Sequence, residues 1–158
     1  MPFEYKSKII NIIDGDTVVA DIDLGFNIIL SNQSVRLNGI DTPESRTTDK
    51  VEKTFGLLSK DQVKKFCLDI CRGNVIIKTS IGNNDEKFGR ILGEIINPQN
   101  GVVLNNWLID NNYAVVYGGE NKENVKDKHL KNRKILIDKG LIKMSYKEAG
   151  VAQLEFPI

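Results

Sequence analysis

Residues 8 to 25 read KIINIIDGDTVVADIDLG, and this pattern limits the folds open to the chain more than any other. An Asp-Gly turn at 14 to 16 separates two β-branched runs, which is a hairpin signal. Beyond it Val18, Ala20, Ile22 and Leu24 alternate with Thr17, Val19, Asp21 and Asp23, the period of a strand with one dry face. A dry face must be covered by more structure. FNIIL at 26 to 30 and SVRLNGI at 34 to 40 provide further strand, with the polar SNQS at 31 to 34 expected to turn the chain between them.

Pro43 disfavours a helical Thr42, so the chain leaves this region extended and enters a polar loop. From Val51 onward Phe55, Leu58, Val63, Phe66, Cys67 and Ile70 recur at helical spacing, and Gly73 follows the end of the stripe. NVIIKTS and RILGEII predict two more strands, a shorter helix spans Leu104 to Asn111, and a strand YAVVY precedes a helix from Asn124 to Lys139. Five short strands with a helix between the third and fourth make an α+β chain with the plan of a five-stranded Greek-key barrel, the OB-fold, flanked by about three helices. At 158 residues, 41% apolar and 27% charged, the chain is expected to form one domain over 1–158, with 141–158 as a C-terminal tail. Cys67 and Cys71 lack the partners of a zinc site and read as reduced thiols in or near the core.

The segment VRLNGIDTPE, residues 35 to 44, places Arg36 among Val35, Leu37 and Ile40 and then runs into Asp41, Thr42, Pro43 and Glu44. A guanidinium in an apolar run needs a partner or an anion, because an unpaired buried charge costs several kcal/mol, to order of magnitude. DGDT at 14 to 17 and DEKFGR at 85 to 90 are two further charged clusters at strand ends. Singly, each is an ordinary surface turn. Jointly they offer the carboxylates Asp16, Asp41 and Glu44 beside the guanidiniums Arg36 and Arg90, an inventory suited to a phosphodiester. Carboxylates hold a hard divalent cation, arginines take phosphate oxygens in pairs, and a remaining carboxylate acts on water.

These motifs carry a resemblance. IIDGDTV, VRLNGIDTPE, VEKTFG, KFGRILG and LIDNNYAVVY follow the order found in the staphylococcal nuclease (thermonuclease) family, over roughly residues 9 to 137. The resemblance implies a calcium-dependent nuclease of DNA, with RNA as a second candidate substrate and Mg2+ or another divalent ion as an alternative metal. It implies that Asp16, Asp41 and the main-chain oxygen of Thr42 bind the calcium, with Asp14 close behind them. Arg36 and Arg90 would grip the scissile phosphate, and Glu44 would act on the attacking water. Lys87 and Tyr117 would contact the substrate, and cleavage on the 5′-oxygen side would leave 3′-phosphate ends. A noncatalytic nucleic-acid or protein-binding module is the alternative, as is a specialised nicking or structure-specific endonuclease of a mobile element or virus. Retention of Asp16, Arg36, Asp41, Glu44 and Arg90 together argues for chemistry.

A net charge of +1 means that positive charge must be local, and it predicts weaker nonspecific affinity than that of a strongly basic nucleic-acid-binding protein, with a shallower salt dependence. His129, between Lys128 and Lys131, reads as solvated or packed, and KDKHLKNRK at 126 to 134 as a solvated helix face. Trp107 and Tyr113 read as core. No apolar run approaches the roughly 20 residues of a membrane span, and the start carries no secretory pattern. A monomer in the cytoplasm is expected, in a host cell if the protein is viral, or outside the cell if a signal was removed.

Overall fold

The computed structural model describes residues 2–80, 84–85 and 89–152. The Asp-Gly turn joins β1 (Pro2–Asp14) to β2 (Thr17–Asp23) as an antiparallel pair. Register shifts between Ile9 and Asn11 and between Ile12 and Asp14 mark bulges, which raise the twist of β1. β3 (Ile29–Leu37) corrects the expected break at SNQS, because the strand runs straight through it. Gln33 and Leu30 of β3 face Ala20 and Ile22 of β2, so one residue is extra on β3. Asn32 takes that place at φ 52, its N–H donating to Asp21 Oδ1 at 2.8 Å. The polar tetrapeptide is therefore a bulge and not a turn. Leu24, expected on the dry face, is exposed at the far end of this hairpin together with Phe26, Ile28 and Ile29.

The chain turns at Gly39 into the short β4 (Ile40–Asp41). The helix α1 (Lys50–Lys64) starts at Asp49, whose carboxylate accepts the N–H groups of Val51 and Glu52 at 3.0 and 3.2 Å. It continues as π-helical turns over Lys65–Ile70. The wider turn keeps Phe66 and Cys67 buried but leaves Ile70 60% exposed, outside the apolar stripe where its spacing had put it. Next come β5 (Asn74–Ser80), the two-residue β6 (Asn84–Asp85) and β7 (Arg90–Ile96). The helix α2 (Leu104–Asp110), β8 (Val115–Val116) and α3 (Glu123–Asp138) follow. Only the middle of YAVVY is strand, and it pairs with β4 in a sheet of its own.

β1 extends past its hairpin to pair antiparallel with β5, and β5 with β7. β7 then runs parallel to the end of β3, matching Val35 with Ile91, Arg36 with Leu92 and Leu37 with Gly93. That pairing closes β1, β2, β3, β5 and β7 into a mixed five-stranded barrel with three helices around it, an OB-type α+β fold. Val18, Ala20, Val35, Leu37, Ile77 and Ile95 form one core with Phe55 and Val63 of α1, Cys67 of the π-helical turns that follow it, and Leu104 and Leu108 of α2. Each Val, Leu, Ile or Phe side chain among them stabilises the fold by roughly 1.5–3 kcal/mol on burial. Trp107 is half-buried and stacks on the buried Tyr113 with ring centroids 5.7 Å apart.

Buried Asn105 ties the barrel end together. Its Oδ1 accepts from Ile95 N–H at 3.1 Å, while its Nδ2 donates to the carbonyls of Asn38 and Gly93 at 2.9 and 3.2 Å. This fixes the turn that carries β3 into β4. Residues 141–152 also belong to the packed body, for Ala149 and Val151 are fully buried and the Ala149 carbonyl accepts from Arg133 Nη1 at 2.9 Å. Both cysteines are buried free thiols. Among the described residues no helix is long and apolar enough to cross a membrane.

Candidate active site

Strand alternation answers why Arg36 stands in an apolar run: Val35 and Leu37 face the core, so Arg36 points to the outer face of the barrel. Two carboxylates cover it there. Its Nη1 lies 3.4 Å from Asp16 Oδ2 and its Nη2 3.5 Å from Asp41 Oδ1, with the side chain only 11% exposed. These separations are long for hydrogen bonds, so the attraction is mainly between charges. Register delivers Asp16, since Thr17 pairs with Arg36 and Leu37 N–H donates to the Asp16 carbonyl at 2.8 Å. Asp16 is held further by the Thr17 hydroxyl at 3.1 Å and the Thr42 N–H at 3.3 Å.

Asp41 is delivered by the β4–β8 pairing, where it stands opposite Val115. Its Oδ2 is 2.8 Å from His129 Nε2, and its Oδ1 is 3.3 Å from Lys122 Nζ. Burial alone would push this carboxyl up, but the His129 hydrogen bond and the Lys122 charge outweigh it and hold Asp41 below the usual carboxylate range. Burial likewise works against the Lys122 ammonium and is outweighed by Asp41 and Glu44, so its pKa is raised. His129 is thus neither solvated nor mere packing. Lys126, Lys128 and Lys131 do face water, while His129 and Arg133 turn inward on the face that carries buried Val125 and Leu136. The spacing 125, 129, 133, 136 was the signal available in the sequence. Lys122, in the loop before α3, carried no signal of its own.

Glu44 is half-exposed and pairs with Lys122 Nζ at 3.1 Å. Its main-chain N–H donates to Glu52 Oε1 at 3.0 Å, and Glu52 Oε2 takes Arg133 Nη2 at 2.6 Å. α3 therefore reaches Glu44 through α1. Asp14 bonds to the Ser45 hydroxyl and to Arg46 Nη2 at 2.8 Å, anchoring the loop after Glu44. Burial would raise the Asp14 carboxyl, yet these two donors hold it below the ordinary range.

Arg90 opens β7, two residues before the Leu92 that stands beside Arg36. Alternation puts Arg36 and Arg90 on the same outer face. Tyr117 is half-buried just after β8, its N–H donating to the Gly39 carbonyl at 2.9 Å. Lys87 lies outside the described residues. Between the 42–52 segment and α3 opens a cleft of about 420 Å³, lined by Asp41, Glu44, Glu52, Lys122, His129 and Arg133 among others.

The donors suit a hard cation. Asp16 and Asp41 are buried carboxylates drawn to one guanidinium, and beside them Thr42 Oγ1 is buried with no hydrogen-bond partner among the described residues. Among the described residues no three His, Cys, Asp or Glu side chains cluster as a metal site. A cation here would accordingly rest on two carboxylates and main-chain oxygen, completed by water or substrate. A family model described as staphylococcal nuclease homologue matches residues 34–136, a span that includes Arg36, Asp41, Glu44, Arg90 and His129 but not Asp14 or Asp16. No curated protein matches the chain.

Proposed function

The chain belongs to the staphylococcal nuclease homologue family, and on that premise we propose that it is a divalent-metal-dependent nuclease that hydrolyses phosphodiester bonds of DNA, with RNA as a second substrate. The observation that carries this reading is the approach of Asp16 and Asp41 to the single guanidinium of Arg36 on the outer face of the barrel. The carboxylates of Asp16, Asp41 and Glu44 outnumber the cationic groups of Arg36 and Lys122 that touch them, and this excess of negative charge favours a divalent cation.

Asp16, Asp41 and the Thr42 main-chain oxygen are the groups that would hold calcium, or magnesium in its place. When bound, the cation supplies charge neutralisation and polarisation of the phosphate. Arg36 and Arg90 then bind phosphate oxygens through paired donors, and their charges are stabilising to the extra negative charge of the pentacoordinate transition state. Glu44 orients the attacking water and accepts its proton. The Glu52 carboxylate, fixed by Arg133, holds the Glu44 main chain at the rim of the cleft.

The test is incubation of purified protein with single-stranded DNA, supercoiled and linear duplex DNA, and RNA, each with calcium, magnesium or chelator, beside Asp41→Ala. Metal-dependent cleavage lost in Asp41→Ala is the expected result. No cleavage by the intact protein with any metal would overturn the proposal.

A further inference from the structure

Asp41 has two carboxylate oxygens, and the fold gives them different partners. Oδ1 faces the cationic heads of Arg36 and Lys122, at 3.5 and 3.3 Å. Among the described residues Oδ2 meets one group, the imidazole of His129, at 2.8 Å. The imidazole comes from the middle of α3, its side chain only 12% exposed, and Nδ1 is buried with no hydrogen-bond partner among the described residues. An ionised carboxylate only accepts, so Nε2 carries the proton and donates.

We propose that His129 is a positioning residue for metal binding: its Nε2–H fixes Asp41 Oδ2 and so turns Oδ1 toward the cation. The inference rests on the reading of Asp41 as a metal-holding carboxylate. Without the imidazole, the Asp41 side chain is free to rotate and to give both oxygens to Arg36 and Lys122, positive groups that repel a metal ion. A hydrogen bond from a packed helix prevents this, since donors behind a ligating carboxylate orient it.

The test is calorimetric titration of calcium into the full chain and into His129→Gln, His129→Leu, His129→Ala and Asp41→Asn, with thermal unfolding of each recorded without metal. A Gln amide nitrogen reaches the place of Nε2 and still donates, while Leu and Ala do not. His129→Gln is expected to bind calcium within about twofold of the native chain, and His129→Leu and His129→Ala about tenfold more weakly. Alanine keeps the comparison open if leucine overpacks the site. Unchanged or tighter binding in the donor-free variants would overturn the role of His129, as would equal weakening of all three. Calcium binding by the native chain that Asp41→Asn abolishes upholds the metal reading independently. If the native chain binds no calcium, the metal reading itself falls, and this inference with it.

Discussion

Gly56 of α1 lies directly against the main chain of Glu44: a β-carbon at position 56 would stand 2.2 Å from the Glu44 carbonyl oxygen and 2.6 Å from Ser45 N. Glycine is required here by close approach. The helix that carries Glu52 thereby presses on the very loop that Glu52 ties down at Glu44 N–H. Gly56→Ala is expected to cost about 1–3 kcal/mol of stability, because rigid backbone must shift to make room. It should also slow cleavage by displacing Glu44. Chemical denaturation and single-turnover rates check both effects, and native stability in Gly56→Ala would show the loop to be freely adjustable.

Arg36→Lys keeps the charge but loses the planar fork between Asp16 and Asp41. A point charge on a flexible stem stabilises a trigonal array of phosphate oxygens less well. The expected outcome is a fall in the cleavage rate on the order of a hundredfold, with a much smaller change in DNA affinity. Rates under saturating substrate, beside binding measured in calcium with a noncleavable oligonucleotide, separate the two. An unchanged rate would remove Arg36 from the chemistry.

Lys122 spans Asp41 Oδ1 and Glu44 Oε1, so a cation drawn to Asp41 meets a like charge already there. Its head is more than half exposed, which limits each contact to about 0.2–1 kcal/mol. Lys122→Met is therefore expected to tighten calcium binding by roughly 1.4-fold to fivefold, the opposite sign to loss of the His129 donor. Calorimetry reads this directly. Equal affinity would mean that the ammonium swings aside at no cost.

Burial, with a smaller contribution from Cys71, pushes the Cys67 thiol from 9.0 up to about 12. The folded value exceeds the unfolded one, so the fold favours the neutral thiol. That contribution to stability is complete below pH 9.0 and is lost as pH rises from there to about 12. Cys67→Ala should be less stable at neutral pH, for want of a packed sulfur, yet lose less stability between pH 9 and 11. Thermal midpoints across that range test the slope. Native Cys67 should also resist alkylation at pH 8 until the protein unfolds.

Much of the fold was legible because strand and helix periods are local. The Asp-Gly hairpin, the α1 stripe up to Cys67 and the three helices stand where the residues placed them. SNQS was misread because a bulge is defined only by its partner strand: the same polar residues that would turn an isolated chain here absorb one extra position against Ala20 and Ile22. Ile70 was misplaced because a π-turn shifts the helical phase, and no composition marks that shift in advance. His129 is inconspicuous in the sequence because it lies within a lysine-rich run, while its neighbours along the helix face are Val125 and Arg133.

By itself the sequence determined the chemical inventory, the strand that carries Arg36 and the family to which these motifs belong. Those rest on residue type and near-neighbour spacing. Only the tertiary structure decided who meets whom at Asp41. Barrel closure through β3 and β7, the β4–β8 pair and the docking of α3 bring His129 to a carboxylate 88 residues away and place Lys122 across from it. Such contacts follow from packing the whole chain, because electrostatic and hydrogen-bonding partners act over a few ångströms of space regardless of their separation in sequence.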